Sequence, residues 1–524
     1  MPLRHTDKSK IEYYLVLFDG DGNERREQDG SLLSETLTEA VRDGVTDVFL
    51  ASHGWMGDIP AAIKQYDSWI DAMAAQSGDQ ERARALDPGF KTLIVGVHWP
   101  SKPWGTENVG AALLGDDAGD ELGDDASDEF AAERRTDPAT LVDRYAKRIA
   151  DTPAARTALA TILDAADDDQ VLDQVANRKL PADLESAYQT LFSEAGLDLG
   201  GATAAPGSDQ QAFSPLRIMT EWTSAAEKQA QQGTGEQPGA GTQPAARQSS
   251  AGGVPGLLDD AEGQPGPLDG AEGQPGLLGG GIRQNLKDAL LGPVRQLSFW
   301  AMKHRARTVG ETGVHSLLID LQQSADLQQS APDVRFHLMG HSFGCIVVSA
   351  AVAGPLDNGT VTSRLPRPVH SLFLAQGALS LWSFADRIPY PPRVPGYFRA
   401  IGVPPALVQG PIVTTRSTFD HAVGTFFPLG AKLGDERVLD DPSEPEFGGV
   451  GAFGIKGTTP GTTHDMKVLN ASGNYGFDAG QIYNIDASTV ICHGKWPSGA
   501  HSDIAHPPIA HLFWQAALSG IANS

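Results

Sequence analysis

The chain has 524 residues, 40% of them apolar, and its 66 acidic against 40 basic side chains give a formal charge of −26. That length holds one large α/β domain with insertions or two to three average domains, and so acidic a chain repels nucleic acid and anionic membrane surfaces. Two cysteines, Cys345 and Cys492, cannot build a disulfide framework, no run approaches the roughly 18 apolar residues that span a bilayer, and residues 1–10 carry no apolar signal-peptide core. The expected location is the cytoplasm, with export by a route that needs no signal peptide left open.

Strand-like apolar runs lie at 13–18, 47–51 and 92–97, with helical spacing over 59–75 between the last two. Runs apolar throughout imply a sheet covered on both faces, and strands alternating with helices imply a mostly parallel α/β sheet. After Trp104 the pattern changes. An acidic run over 116–129 reads as solvated loop, and stretches such as 139–149 and 157–166 read as helices, so 105–232 is expected to be an acidic, helical, cap-like insertion. Residues 233–283 are Gly/Pro-rich, with a ten-residue repeat starting at Pro255, Pro265 and Pro275. Such a composition cannot build a core and reads as a linker.

Order resumes with 282–291 and then 299–321, a long helix candidate leading to a strand. Later strand candidates are 369–375, 411–416 and 488–493, and 505–522 closes the chain as a helix. Residues 383–403 hold Pro389, Pro391, Pro392, Pro395, Tyr390, Tyr397 and Phe398. This stiffened aromatic segment is either the wall of an apolar pocket or an ordinary packed surface loop. The sheet domain is thus expected to be discontinuous, 1–104 with 284–524.

The sequence around 336–344 is Phe-His-Leu-Met-Gly-His-Ser-Phe-Gly, followed by an apolar helix-length run, 345–353. A strand entering Gly340-His341-Ser342-Phe343-Gly344 and a helix leaving it is the context of a nucleophile elbow. The turn strains the serine backbone, and Gly340 and Gly344 leave room where a side chain would clash. The geometry lifts the Ser342 hydroxyl and aims the helix start at it, so the Phe343 N–H lies where an oxyanion would form.

A serine hydroxyl needs a base, and the base an orienting carboxylate. Asp420 follows the 411–416 strand, with Asp386 as the runner-up and Asp486 as a weaker third. His501, on the loop between the last strand and the last helix, is the candidate base; His506 and His493 compete, while His511 within the helix reads as structural. His341 is expected to point away from the nucleophile and support the elbow. The loop after 47–51 reads Ser52-His53-Gly54-Trp55. Its His53 and Gly54 let the backbone turn close to a substrate, which makes the Trp55 N–H the second oxyanion donor.

These residues resemble the α/β-hydrolase superfamily, in particular bacterial serine esterases and lipases, over 11–104 and 284–520. The resemblance implies a mostly parallel sheet of about eight strands flanked by helices. It also implies a Ser342–His501–Asp420 triad cleaving a carboxylic ester, small or lipid-like, through an acyl-enzyme. Thioesterase, amidase and acyltransferase chemistry run on the same apparatus, and a non-catalytic scaffold on this fold is the alternative of another class. No cofactor is implied, and no Cys/His cluster in the sequence suggests a metal. The Gly-rich 252–281 stretch lacks the Lys-Ser/Thr ending of a phosphate loop. Nothing in the sequence specifies an oligomeric state.

Overall fold

The computed structural model describes residues 3–55, 58–101, 137–196, 213–220, 280–327, 334–357, 360–361, 363–390, 393–402, 406–426, 448–494 and 499–522. The acidic run at 116–129 and the repeat of the expected linker lie outside the described residues. Nine strands form one sheet: β1 (Leu3–His5), β2 (Glu12–Leu17), β3 (Asp47–Ser52), β4 (Thr92–His98), β5 (Arg335–His341), β6 (Ser371–Ala375), β7 (Ile412–Arg416), β8 (Thr463–Lys467) and β9 (Ile482–Asp486). Their spatial order is β1-β2-β4-β3-β5-β6-β7-β9-β8. Only β1 and β2 pair antiparallel; the other pairings are parallel. The α/β class with a mostly parallel sheet is therefore as expected.

Alternation along the central strands feeds two cores. Val48 and Leu50 of β3, Phe336 and Leu338 of β5, and Leu372 and Leu374 of β6 face one. Phe49, Met339 and Phe373 face the other. The first core is closed by α1 (Leu33–Arg42), α9 (His315–Asp326) and α10 (Gly344–Ala353). The second is closed by α2 (Ile59–Ala74), α3 (Ser77–Leu86) and the C-terminal α11 (Pro507–Ala522). Every residue of α10 is buried, as its uniformly apolar sequence requires.

The inserted helices are α4 (Pro138–Ile149), α5 (Pro153–Ala165), α6 (Asp169–Ala176) and α7 (Ala182–Glu194). Asp137 and Thr152 cap α4 and α5 through their side chains, each followed by a proline in the first turn. These helices share a third core with the first two thirds of α8 (Gly280–Val309), through Leu286, Leu290, Leu297 and Trp300. The last third of α8 places Met302, Ala306 and Val309 in the first sheet core. So α8 spans the boundary expected at residue 284, and its first residues lie within the segment expected to be linker. A π-helical turn, Gly310–Val314, joins it to α9.

One expected strand is misplaced. Residues 488–490 form a turn and 491–493 leave it without regular structure, and the strand is β9 at Ile482–Asp486. Asp486 Oδ1 accepts from Ser488 N at 3.2 Å and Ser488 Oγ at 2.7 Å, which curls the chain as it leaves the sheet. The exposed edge strand β8, Thr-His-Asp-Met-Lys, has no apolar alternation to announce it. Residues 383–390 and 393–398 are a packed loop that leads into a helical turn, Arg399–Gly402: Ala385 and Ile388 join Trp382 in a small core, Phe398 is fully buried, and the Tyr397 hydroxyl donates to Glu311.

Candidate active site

The parallel register sets the carboxyl ends of the central strands level, with Ser52 opposite Gly340 and Gly340 opposite Leu374. Ser342 follows β5 with φ 55°, in the left-handed region that L-residues rarely adopt. The two glycines around it are sterically required. A Cβ on Gly340 would stand 2.5 Å from the Cys345 nitrogen, and one on Gly344 would stand 2.2 Å from the Ser52 carbonyl oxygen.

His501 Nε2 lies 2.8 Å from Ser342 Oγ, and its Nδ1 lies 2.8 Å from Asp420 Oδ2. Asp420 is buried, follows β7, and accepts from Val423 N at 3.0 Å on its other oxygen. The loops bearing Asp420 and His501 are stitched together: Ala500 N donates to Phe419 O at 2.8 Å, and Asp420 bridges Gly499. The alternatives are engaged elsewhere. Asp386 pairs with Arg399, Asp486 with Arg416, His506 with Asp503, and His511 with Asp79.

The loop after β3 touches the serine. A Cβ on Gly54 would come within 2.7 Å of Ser342 Cβ, so only glycine lets the backbone approach this closely. His53 Nδ1 donates to Gly54 O at 2.8 Å, and its Nε2 accepts from Trp99 N at 3.3 Å. Because the peptide is trans, holding the Gly54 carbonyl toward His53 turns the Trp55 N–H the opposite way. Among the described residues neither the Trp55 nor the Phe343 backbone N–H has an acceptor. Burial, reinforced by His98, holds His53 well below the usual imidazole range, so it stays neutral in this role.

His341 does more than support the elbow. Its Nε2 donates to the His501 carbonyl at 2.9 Å, and its Nδ1 accepts from Gln65 Nε2 at 3.1 Å. Burial, with His501 beside it, pushes its pKa down to about 3.

Two supports have no sequence signature. Gln376, at φ 46° just after β6, donates from Nε2 to Asp420 Oδ2 at 2.8 Å and to Gly451 O at 3.2 Å. Its Oε1 accepts from Thr415 Oγ1 at 3.0 Å. Gln65 projects from α2, far from any motif. In both cases three separated segments must meet before the role exists.

An aromatic wall stands beside the serine. Phe343 packs on Trp55 with ring centroids 5.6 Å apart and on Phe299 of α8 at 5.1 Å. Phe299 adjoins both the sheet core and the core of the inserted helices. The Trp55 indole Nε1 is buried without a hydrogen-bond partner among the described residues. Metal-ligand donors gather among the described residues only at Cys492, His493 and Asp503, outside the serine–histidine–aspartate chain. No protein-family model, curated protein or solved structure matches this chain.

Proposed function

We propose that the chain is a serine hydrolase of α/β-hydrolase type that cleaves carboxylic esters through an acyl-enzyme on Ser342. The observation that carries this reading is the position of His501, with one ring nitrogen 2.8 Å from Ser342 Oγ and the other 2.8 Å from the buried Asp420. A hydroxyl, an imidazole and a carboxylate in that sequence are what acyl transfer requires.

In the first half-reaction Ser342 Oγ attacks the acyl carbon while His501 Nε2 takes its proton. The carbonyl oxygen, now negative, receives the Trp55 N–H from the loop after β3 and the Phe343 N–H from the start of α10. Collapse breaks the bond to the leaving alkoxide, which takes the proton from His501. In the second half-reaction His501 removes a proton from water, the hydroxide attacks the acyl carbon, and Ser342 leaves reprotonated. Asp420 keeps the His501 Nδ1 proton in place and offsets the imidazolium charge. The Trp55–Phe343–Phe299 wall favours an apolar group beside the reacting carbon.

A fluorophosphonate probe tests the reading. The wild-type protein is expected to be labelled on Ser342, Ser342→Ala to take no label, and Asp420→Asn to lose roughly 10³–10⁴ in kcat toward an aryl ester. A folded wild-type protein that takes no label would instead favour a scaffold. A panel of esters of graded acyl length, with a thioester and an amide, sorts the acyl-transfer classes.

A further inference from the structure

We propose that Cys492, His493 and Asp503 form a binding site for one divalent cation of the zinc class. Their donor atoms, Sγ, Nδ1 and a carboxylate oxygen, all lie within 4.8 Å of one another. Two of the separations can be compared with a coordination shell. Cys492 Sγ stands 3.5 Å from His493 Nδ1, and His493 Nδ1 stands 3.4 Å from Asp503 Oδ2. Bond lengths of about 2.3 Å to sulfur and about 2.0–2.1 Å to nitrogen or oxygen put the edges of a tetrahedron at about 3.3–3.6 Å. Two of the three separations thus match a coordination shell before any ion arrives, and the third lies within 4.8 Å.

Asp503 is held in this position by its own contacts. Its Oδ2 accepts from the backbone nitrogens of Cys492 at 3.0 Å and His493 at 2.8 Å, and His506 Nε2 lies 2.6 Å from Oδ1. Cys492 has no cysteine to pair with, because Cys345 is fully buried in α10. His493 is 81% exposed and leaves the site open to solvent. One thiolate, one imidazole and one carboxylate suit Zn²⁺ and disfavour Ca²⁺ or Mg²⁺, which take oxygen ligands. On binding, Cys492 gives its thiol proton to solvent, and water completes a four-coordinate shell.

The ligands bracket His501. Cys492 and His493 precede it and Asp503 follows, and Gly494 lies so close to Gly499 that a Cβ on it would stand 1.6 Å from Gly499 O. A bound cation would therefore clamp the two ends of the segment that carries His501. Cation binding here does not depend on Ser342 being a nucleophile.

The test is a Co²⁺ titration of the full-length, metal-free, reduced protein. One equivalent is expected to produce the visible bands of four-coordinate cobalt with a thiolate charge-transfer band, and Zn²⁺ should abolish both. Cys492→Ser should lose the charge-transfer band, His493→Ala should weaken binding at least about tenfold, and Cys345→Ala should keep the band. A wild-type protein without the thiolate band, or a band that survives Cys492→Ser, would overturn the site. Circular dichroism establishes that each variant is folded, and His493→Ala decides the matter if Cys492→Ser is not.

Discussion

Gln376 shows what one side chain can do without a motif around it. Its amide nitrogen joins His501 on the same oxygen of Asp420, and its amide oxygen is held by Thr415 of β7. Without it, among the described residues, Asp420 keeps the Val423 N–H and His501 but loses the second donor on Oδ2. Gln376→Ala is expected to lower kcat roughly ten- to a hundredfold with little change in KM, and Gln376→Glu not to restore it, since a second carboxylate repels the first. Unchanged kcat in a folded Gln376→Ala protein would show that the backbone alone positions Asp420. Ser342, His501 and Asp420 were legible in the sequence because each lies in a short stretch with its own turn chemistry and because the three follow a known order. Gln376 and Gln65 were not, since their contacts exist only once β6, β7 and α2 have assembled.

At the scale of elements, the buried parallel strands announced themselves through continuous apolar runs, and the fully apolar helix after Ser342 did the same. The failures have local causes. An Asx turn at Asp486 stops β9 before the apolar run at 488–493 can extend it, and β8 is a polar edge that pairs on one side only. Helix α8 was only half legible, because Gly280 and Gly281 begin it and Pro293 sits inside it. Packing on both sides offsets the hydrogen bond that the proline removes. Trp300, 2% exposed, belongs to the core that α8 shares with the inserted helices. Trp300→Ala is expected to cost about 3–5 kcal/mol in urea unfolding, and a loss below about 1 kcal/mol would mean that this core contributes little to the stability of the chain.

At the scale of the whole molecule, buried histidines set the response to acid. Burial pushes His341 and His370 down to about 3 and holds His53 well below its usual range. The unfolded chain takes up protons on these groups below about pH 6.5, whereas the folded chain does not, so stability falls as pH drops from there toward 3. Glu311 works the other way, because burial raises it to about 7 and the fold gains its proton first. Burial lowers His304 and His315 as well, and these five histidines outweigh Glu311 and His511, which its hydrogen bond to Asp79 raises despite burial. The urea midpoint is expected to be lower at pH 5 than at pH 7.5, and His370→Gln should narrow that difference, since His370 accepts from Phe336 N at the far end of β5 from Ser342. A midpoint that rises on acidification would contradict this balance.

Helix α8 is a single rod of 30 residues, or about 45 Å at ~1.5 Å per residue. Phe299, which touches the residue beside Ser342, lies about 15 Å from its Val309 end and about 29 Å from its Gly280 end. The turns nearer Gly280 pack in the core of α4–α7 and the last turns in the sheet core, and Phe299 stands where the two meet. The outer helices and the sheet thus share one strut, and the side chain that touches Phe343 sits at the joint between them.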